Sequence, residues 1–339
     1  MNRRTVIVSA LALGLVAWFL RDADPGAIWA QVRRARGELV LASFAFGALS
    51  FVLRAVRWHS LLVPVGHVRF APVLRTTIIG FGALGLLPVR VGDVIRPFLL
   101  ARREGLSVTA TLATVVLERV LDLIAVLTLL AIYVWGFAGG GAIPARLLGP
   151  IEASAGLGAV VAVVMLVLMW TLASHPERMG AVAAGAARVL PGSWSHRVGR
   201  FAHTFSTGFA ATRDSRALAM AVLWSFPLWM AIAAQAWAVT IGFGIVMPYA
   251  GAFLLQALLV LGVIVPTPGG VGGFHEAYRI GVTTFFGATN ERAIAAAIVT
   301  HAVAFVPVVI VGLVLMAQDG LSLGGLRGLA NAARQQERT

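Results

Sequence analysis

The sequence predicts an all-α polytopic membrane protein: about six spanning helices plus two Pro/Gly-broken re-entrant helix pairs, related as an inverted repeat. Three observations predict it. Hydrophobic residues make up 59% of the chain and charged residues only 12%, far from soluble usage. No Asp, Glu, Lys or Arg occurs from Ala217 to Phe274, although about 20 apolar residues suffice for one helical crossing. Two further apolar stretches are interrupted midway by Pro and Gly, as paired half-helices are in inverted-repeat transport folds.

Apolar runs bounded by charge place the spanning helices at 5–20, 39–62, 108–136, 154–173, 217–242 and 293–316. Lipid admits only helices or closed barrels, and barrel strands would alternate, so these runs are assigned to helices. The first run follows Arg3 and Arg4 as a signal peptide would. It ends in WFLRDADP without a small-residue cleavage site, so an uncleaved first helix is expected. In the following DPGAIWAQVRRARG, Asp24 caps and Pro25 opens a short interfacial helix.

The broken segments are 76–101 and 250–287. Their cores, LGLLPVRVGDVIRP and LGVIVPTPGGVGGFHEAYR, share a Leu-Gly, a Pro, a Gly and an acid beside an Arg. Orientation follows from arginine placement: 174–216 carries Arg178, Arg188, Arg197, Arg200, Arg213 and Arg216, whereas 138–153 has Arg146 alone. The positive-inside rule therefore puts 174–216, read as interfacial helices, in the cytoplasm with both termini and the tail 320–339. Loop 138–153 then faces the periplasm. One integral membrane domain covers 1–339, with a first half 1–150 around 76–101 and a second half 151–320 around 250–287. The first broken segment dips in from the cytoplasm, the second from outside.

Charged groups inside lipid cost about 3 kcal/mol or more, so they mark pathways, sites or mutual pairs. Arg54, Arg57 and Trp58 end the second span, the two guanidiniums on one helix face. They are either interfacial anchors or a clamp on a lipid phosphate. Arg90, Asp93 and Arg96 follow the Pro of the first broken segment; Asp93 can cap the next helix and pair with Arg96, or the set can line a polar site. Glu118 lies about 16 Å into its span at 1.5 Å per residue, close to mid-membrane, and Arg119 and Asp122 follow over the next turn. One Arg cannot neutralise two acids, so Glu118 needs a further cation (Arg54, Arg90 or Arg96) or a proton. Gly269, Gly270, Gly272 and Gly273 free backbone amides before a helix starting near Phe274. His275, Glu276 and Arg279 occupy its first turns, making either an anion site at a helix N-terminus or only a tight turn. His301 reads as a hydrogen-bonded core residue.

Net charge is +13 and every basic residue is Arg. In a polytopic protein this fits loops on anionic lipid, and no nucleic-acid partner is expected. The absence of Cys excludes disulfides and thiol chemistry. No P-loop, HExxH, GxSxG, dinucleotide fingerprint or Asp-rich metal motif is present, so no cofactor, metal or catalytic residue is expected.

RAVRW at 54–58, GLLPVRVGDVIRPFLLARREGLS at 85–107, TVVLERVLDL at 114–123 and PTPGGVGGFHEA at 266–277 carry a resemblance over 39–316. The chain resembles the lysylphosphatidylglycerol synthase transmembrane family, flippase-like proteins related to the N-terminal domain of the multiple peptide resistance factor. The resemblance implies a polytopic inner-membrane protein with re-entrant helices that moves polar lipids between leaflets. Relatives are linked to glycolipid, dolichol-type or hopanoid pathways. Two-domain relatives also carry a C-terminal aminoacyltransferase domain that this sequence lacks, implying that it does not make lysyl-phosphatidylglycerol itself.

The expected function is a lipid flippase or transporter, not an enzyme. A phosphate-bearing headgroup would be held by Arg54, Arg57, Trp58, Arg90, Asp93, Arg96, Glu118, Arg119, Asp122, Gly269, Gly270, Gly272, Gly273, His275, Glu276 and Arg279. The partners are membrane lipids and a lipid-biosynthesis enzyme. One alternative is an accessory subunit of a lipid, glycolipid or hopanoid complex. Another is an intramembrane transferase using Glu118 or Glu276 as base.

Overall fold

The computed structural model describes residues 3–21, 23–86, 92–137, 145–174, 214–264 and 267–321. Arg90, loop residues 138–144, nearly all of the connection 174–216 and the tail from 322 lie outside the described residues. Among the described residues all regular structure is helical.

Two leading helices, α1 (Arg3–Leu20) and α2 (Pro25–Arg34), precede two similar sets. Asp24 caps α2 as expected, accepting from the Gly26 amide at 2.8 Å. The first set is α3 (Gly37–Leu62), α4 (Phe70–Leu86), α5 (Gly92–Glu104) and α6 (Val108–Gly136). After α7 (Ala145–Ser174) comes the second: α8 (Ser215–Gly242), α9 (Gly251–Ile264), α10 (Gly273–Phe286) and α11 (Asn290–Gln318). A short 3₁₀ turn, Pro268–Gly270, links α9 to α10.

Among the described residues, four helical stretches are long and apolar enough to cross a membrane: 37–62, 149–167, 215–242 and 290–318. With no water available to their backbones, these residues satisfy their amides within the helix. The other two expected spans are helical as well. α1 covers 18 residues, and α6 has spanning length at 29 residues but carries Glu118, Arg119 and Asp122 near its middle. The protein is a multi-pass membrane protein.

The first helices of the two sets, α3 and α8, pack side by side in opposite directions. Gly242 sits at Arg36, Gly47 at Gln235, and Arg57 at Ser225. A Cβ on Gly47 would lie 2.4 Å from Gln235 Nε2, so a small residue is required at this crossing. Because these matching helices run antiparallel, the sets are inverted relative to each other. The repeated elements span 37–136 and 215–318.

Each broken segment folds into a helical hairpin. Its arms, of 17 and 13 residues or 14 and 14, fall short of the about 20 needed to cross. Glycines let the arms touch near the tip. A Cβ on Gly92 would lie 2.0 Å from the Gly80 carbonyl oxygen, and one on Gly262 would lie 2.5 Å from that of Gly273. The bases are closed as well, by the Arg69–Glu104 ion pair at 3.2 Å and by Gly251 against the Phe286 ring. The hairpins therefore enter from opposite faces, and their tips meet where Gly269 approaches the Gly85 carbonyl. The first hairpin also leans on α11 through Gly82 and Gly312.

At the base of the first hairpin, Arg75 of α4 and Arg103 of α5 both hold Asp319 just past α11, at 2.9 and 2.6 Å. Burial pushes the Asp319 carboxyl up. The two guanidiniums outweigh this and hold it below the usual carboxylate range.

Candidate functional site

Four helices, α3, α5, α6 and α8, place polar side chains in one apolar interior. Ser107 sets the register of α6 by accepting from the Ala110 amide at 3.3 Å. Glu118 and Asp122 then stand one turn apart on the same face, and both are buried. Arg57 of α3, fully buried, spans the two: Nη2 donates to Glu118 Oε1 at 3.1 Å and Nη1 to Asp122 Oδ1 at 2.6 Å. Arg96 of α5 takes the other Glu118 oxygen. The cation that Glu118 needed is thus supplied twice, by Arg96 as expected and by Arg57.

Asp122 gathers two further partners, and Arg57 one. Trp229 of α8 donates its indole N–H to Oδ1 at 3.0 Å, Arg119 lies 3.2 Å from Oδ2, and Ser225 completes the Arg57 end at 3.3 Å. Arg119 also donates to Asp93 at 3.1 Å. Here the structure corrects an expectation, since Asp93 pairs across to α6 and not with Arg96 on its own helix. Arg96 is drawn away because Glu118 lies beside it in the apolar interior. Trp58 is no interfacial belt residue: it is fully buried, bonds Thr114 at 2.9 Å, and lies under the Arg96 guanidinium at 4.2 Å.

Arg54 and Arg57 do not form one clamp. The positions are three residues apart and so diverge by roughly 60° around the helix. Arg57 faces α6, while Arg54 lies over the Phe81 ring of α4 at 4.5 Å. Arg54 is 8% exposed and makes no ion pair among the described residues. Phe81 is shared, since Arg96 lies 5.8 Å from the same ring. Arg96 Nη1 and the Nε groups of Arg54, Arg57 and Arg96 are buried without an acceptor among the described residues. Arg54, Arg57, Arg96 and Arg119 make four positive charges against three negative ones on Asp93, Glu118 and Asp122, leaving one in excess. Buried donors without acceptors and a buried net charge are both costly. An anion entering between Arg54 and Arg96 would relieve both.

The second hairpin holds a separate set. Gly269, Gly270 and Gly272 take positive φ values of 59°, 70° and 90°, which close the turn before α10 opens at Gly273. The Gly272 amide, expected to be free for an anion, is instead accepted by His275 Nδ1 at 3.3 Å. Glu276 and Arg279 bond to each other, and Arg279 also reaches Asn290 at 3.1 Å. Glu276 and Arg279 thus form a local pair on α10. His301 is hydrogen-bonded, as expected, to the Gly269 carbonyl at 2.8 Å.

Sequence reasoning missed Phe81, Thr114, Ser225 and Trp229. A usable signal existed for the last two. They stand four apart in a run without any charge, so they share a helix face that lipid alone would not demand.

The chain is 26% identical over 328 residues to the glycosyltransferase AglD of Haloferax volcanii, an alignment covering 89% of this chain and 52% of that protein. It therefore spans about half the length of that relative. The family model for the lysylphosphatidylglycerol synthase TM region matches residues 5–312, which takes in both hairpins and every helix of the charged cluster. The chain belongs to the lysylphosphatidylglycerol synthase transmembrane-region family.

Proposed function

We propose that this protein moves a lipid with a phosphate-bearing headgroup between leaflets, the headgroup passing the buried cluster of Arg54, Arg57, Arg96, Glu118 and Asp122, with Arg119 at its edge. The observation that carries the reading is the surplus buried positive charge, with Arg54 lacking an ion pair among the described residues. A phosphate oxygen supplies the acceptors that Arg54 and Arg96 lack, and Arg suits phosphate by its planar fork of donors. Two inverted hairpins with touching tips support alternating exposure of such a site to the two faces. The arginine distribution supports an inner-membrane setting with the base of the first hairpin cytoplasmic.

The test is leaflet transfer of fluorescent phosphatidylglycerol by the full chain reconstituted in vesicles. Wild type moves the probe, and Arg54→Gln slows transfer by about tenfold, equivalent to 1.4 kcal/mol of barrier. Because Arg54 stands outside the ion-pair network, the variant keeps its helical content and melting temperature. Unchanged transfer in Arg54→Gln overturns the assignment of the site.

A second reading draws on one observation: the matched relative is about twice as long and is named a glycosyltransferase. The chain would then be a non-transporting subunit serving an enzyme that builds a lipid-linked product. In that case purified protein moves no lipid and co-purifies with such an enzyme.

A further inference from the structure

His275 and His301 stand apart from the charged cluster, yet their geometry is specific. The two rings lie 4.5 Å apart at 36°, and they form the centre of a column across three helices. Phe19 of α1 flanks His275 at 5.2 Å, while Phe305 stacks on His301 at 4.4 Å and 19°. Phe274 meets His301 edge-on at 5.2 Å. Both rings hold the tip of the second hairpin through backbone groups, by opposite roles.

The Gly269 carbonyl can only accept, so His301 Nε2 carries a hydrogen. The Gly272 amide can only donate, so His275 Nδ1 carries none. A proton added to His301 leaves its bond to Gly269 intact. A proton added to His275 at Nδ1 sets a donor against the Gly272 N–H, breaks that bond, and puts a cation at the α10 N-terminus, where the helix dipole opposes it. Two imidazolium rings at this spacing repel strongly away from water, so the pair holds one proton at a time. The flanking Phe faces suit that single cation.

Among the described residues no neighbouring carboxylate competes for this role. α1 contributes Phe19 and contains no acid, and α9 contains no titratable residue. On α10, Glu276 is committed to Arg279 and Tyr278 to Thr240. The Glu291 and Arg292 pair of positions opens α11, nine residues or more before His301. The first hairpin presents Gly85 to the tip.

We propose that His275 and His301 form a proton-binding site, and that passage of the proton onto His275 releases Gly272 and frees the tip of the second hairpin to move. This rests on the transport reading above and names its coupling ion. The proton enters from one aqueous face, resides on the imidazole pair, and leaves when the Gly272–His275 bond re-forms. No covalent bond changes.

The experiment has two arms, both on the full chain. In vesicles, transfer of fluorescent phosphatidylglycerol by wild type rises about tenfold from about pH 8 to about pH 3.5. His275→Asn keeps an acceptor near the Gly272 amide and His301→Gln keeps a donor near Gly269, yet neither side chain titrates. His275→Asn shows rates that differ by less than about twofold over the same range, whereas His301→Gln, which leaves His275 without a competing imidazolium, keeps the response. In the second arm, hydrogen exchange of the Gly272, Gly273 and Phe274 amides, corrected for intrinsic pH dependence, loses protection at acid pH in wild type but not in His275→Asn. A wild-type pH response that survives in His275→Asn overturns the proposal, as does exchange protection independent of pH. Absence of lipid transfer at every pH sinks the transport reading alone, because the exchange arm reports the proton site without it.

Discussion

At the pinch of the α4–α5 hairpin stands Arg96, bonded to Glu118 over a third of the way along α6; at the tip of α9–α10 stands His275, against the His301 ring over a third of the way along α11. The frames match closely. Glu118 lies ten positions after Val108 at the start of α6, and Thr300 lies ten after Asn290 at the start of α11, so Arg119 and His301 occupy like positions. One copy of the frame thus carries oppositely charged groups in an ion pair. Its counterpart carries neutral groups that can take up a proton. An inverted repeat needs both copies to share backbone contacts, because helix packing decides whether the hairpins close. Side chains at the tips are under no such constraint and can divide the chemistry.

Breaking the charged copy should cost most. Glu118→Ala leaves Arg57 and Arg96 buried without their carboxylate and should destabilise by about 3–5 kcal/mol. Thr300→Ala, the matching change, removes one hydroxyl bonded to the Ala296 carbonyl and should cost about 1 kcal/mol. Thermal unfolding of both variants in detergent measures the contrast, and equal losses would dissolve it.

The glycine pinches come next, and they test the sameness of the copies. Gly92→Ala and Gly262→Ala each force a Cβ into a carbonyl of the opposite arm, for a cost of about 1–3 kcal/mol from overpacking. Similar losses in the two melting curves would support a shared hairpin frame, while one silent variant would show that a single hairpin tolerates opening.

The smallest effect concerns Asp319, which ties the first hairpin to α11. Its folded-state carboxyl titrates below its unfolded value. Its contribution to stability is therefore present above about pH 4, the unfolded range, and is lost as pH falls through the lowered folded value. Asp319→Asn should lower stability at neutral pH by up to about 1 kcal/mol and flatten the acid limb of a pH–stability curve.

Much of the frame was legible in the sequence because lipid makes composition decisive. Each uncharged run became a helix, and each Pro-Gly interruption became a hairpin. The importance of Glu118 and Asp122 was legible too, since two acids one turn apart in an apolar run must find cations. Their partners were not. Arg57 lies 61 residues from Glu118, and only packing of α3 against α6 reveals that it spans both acids. The expected Asp93–Arg96 pair failed for a related reason: local spacing allowed it, but a buried carboxylate on another helix competed better. The Gly272 amide was misread because its acceptor, His275, had been counted as a ligand-facing group.

A quieter consequence attaches to α7. Counted as crossings, α3 and α6 make two, and the closed hairpin between them adds none, so the first repeat ends on the face where it began. The second repeat must start on the other face, because α8 runs against α3. An odd number of crossings has to intervene, and α7 supplies one. Parity, more than packing, explains why a helix that stands outside both repeats sits between them: without it, translation would lay down two copies pointing the same way.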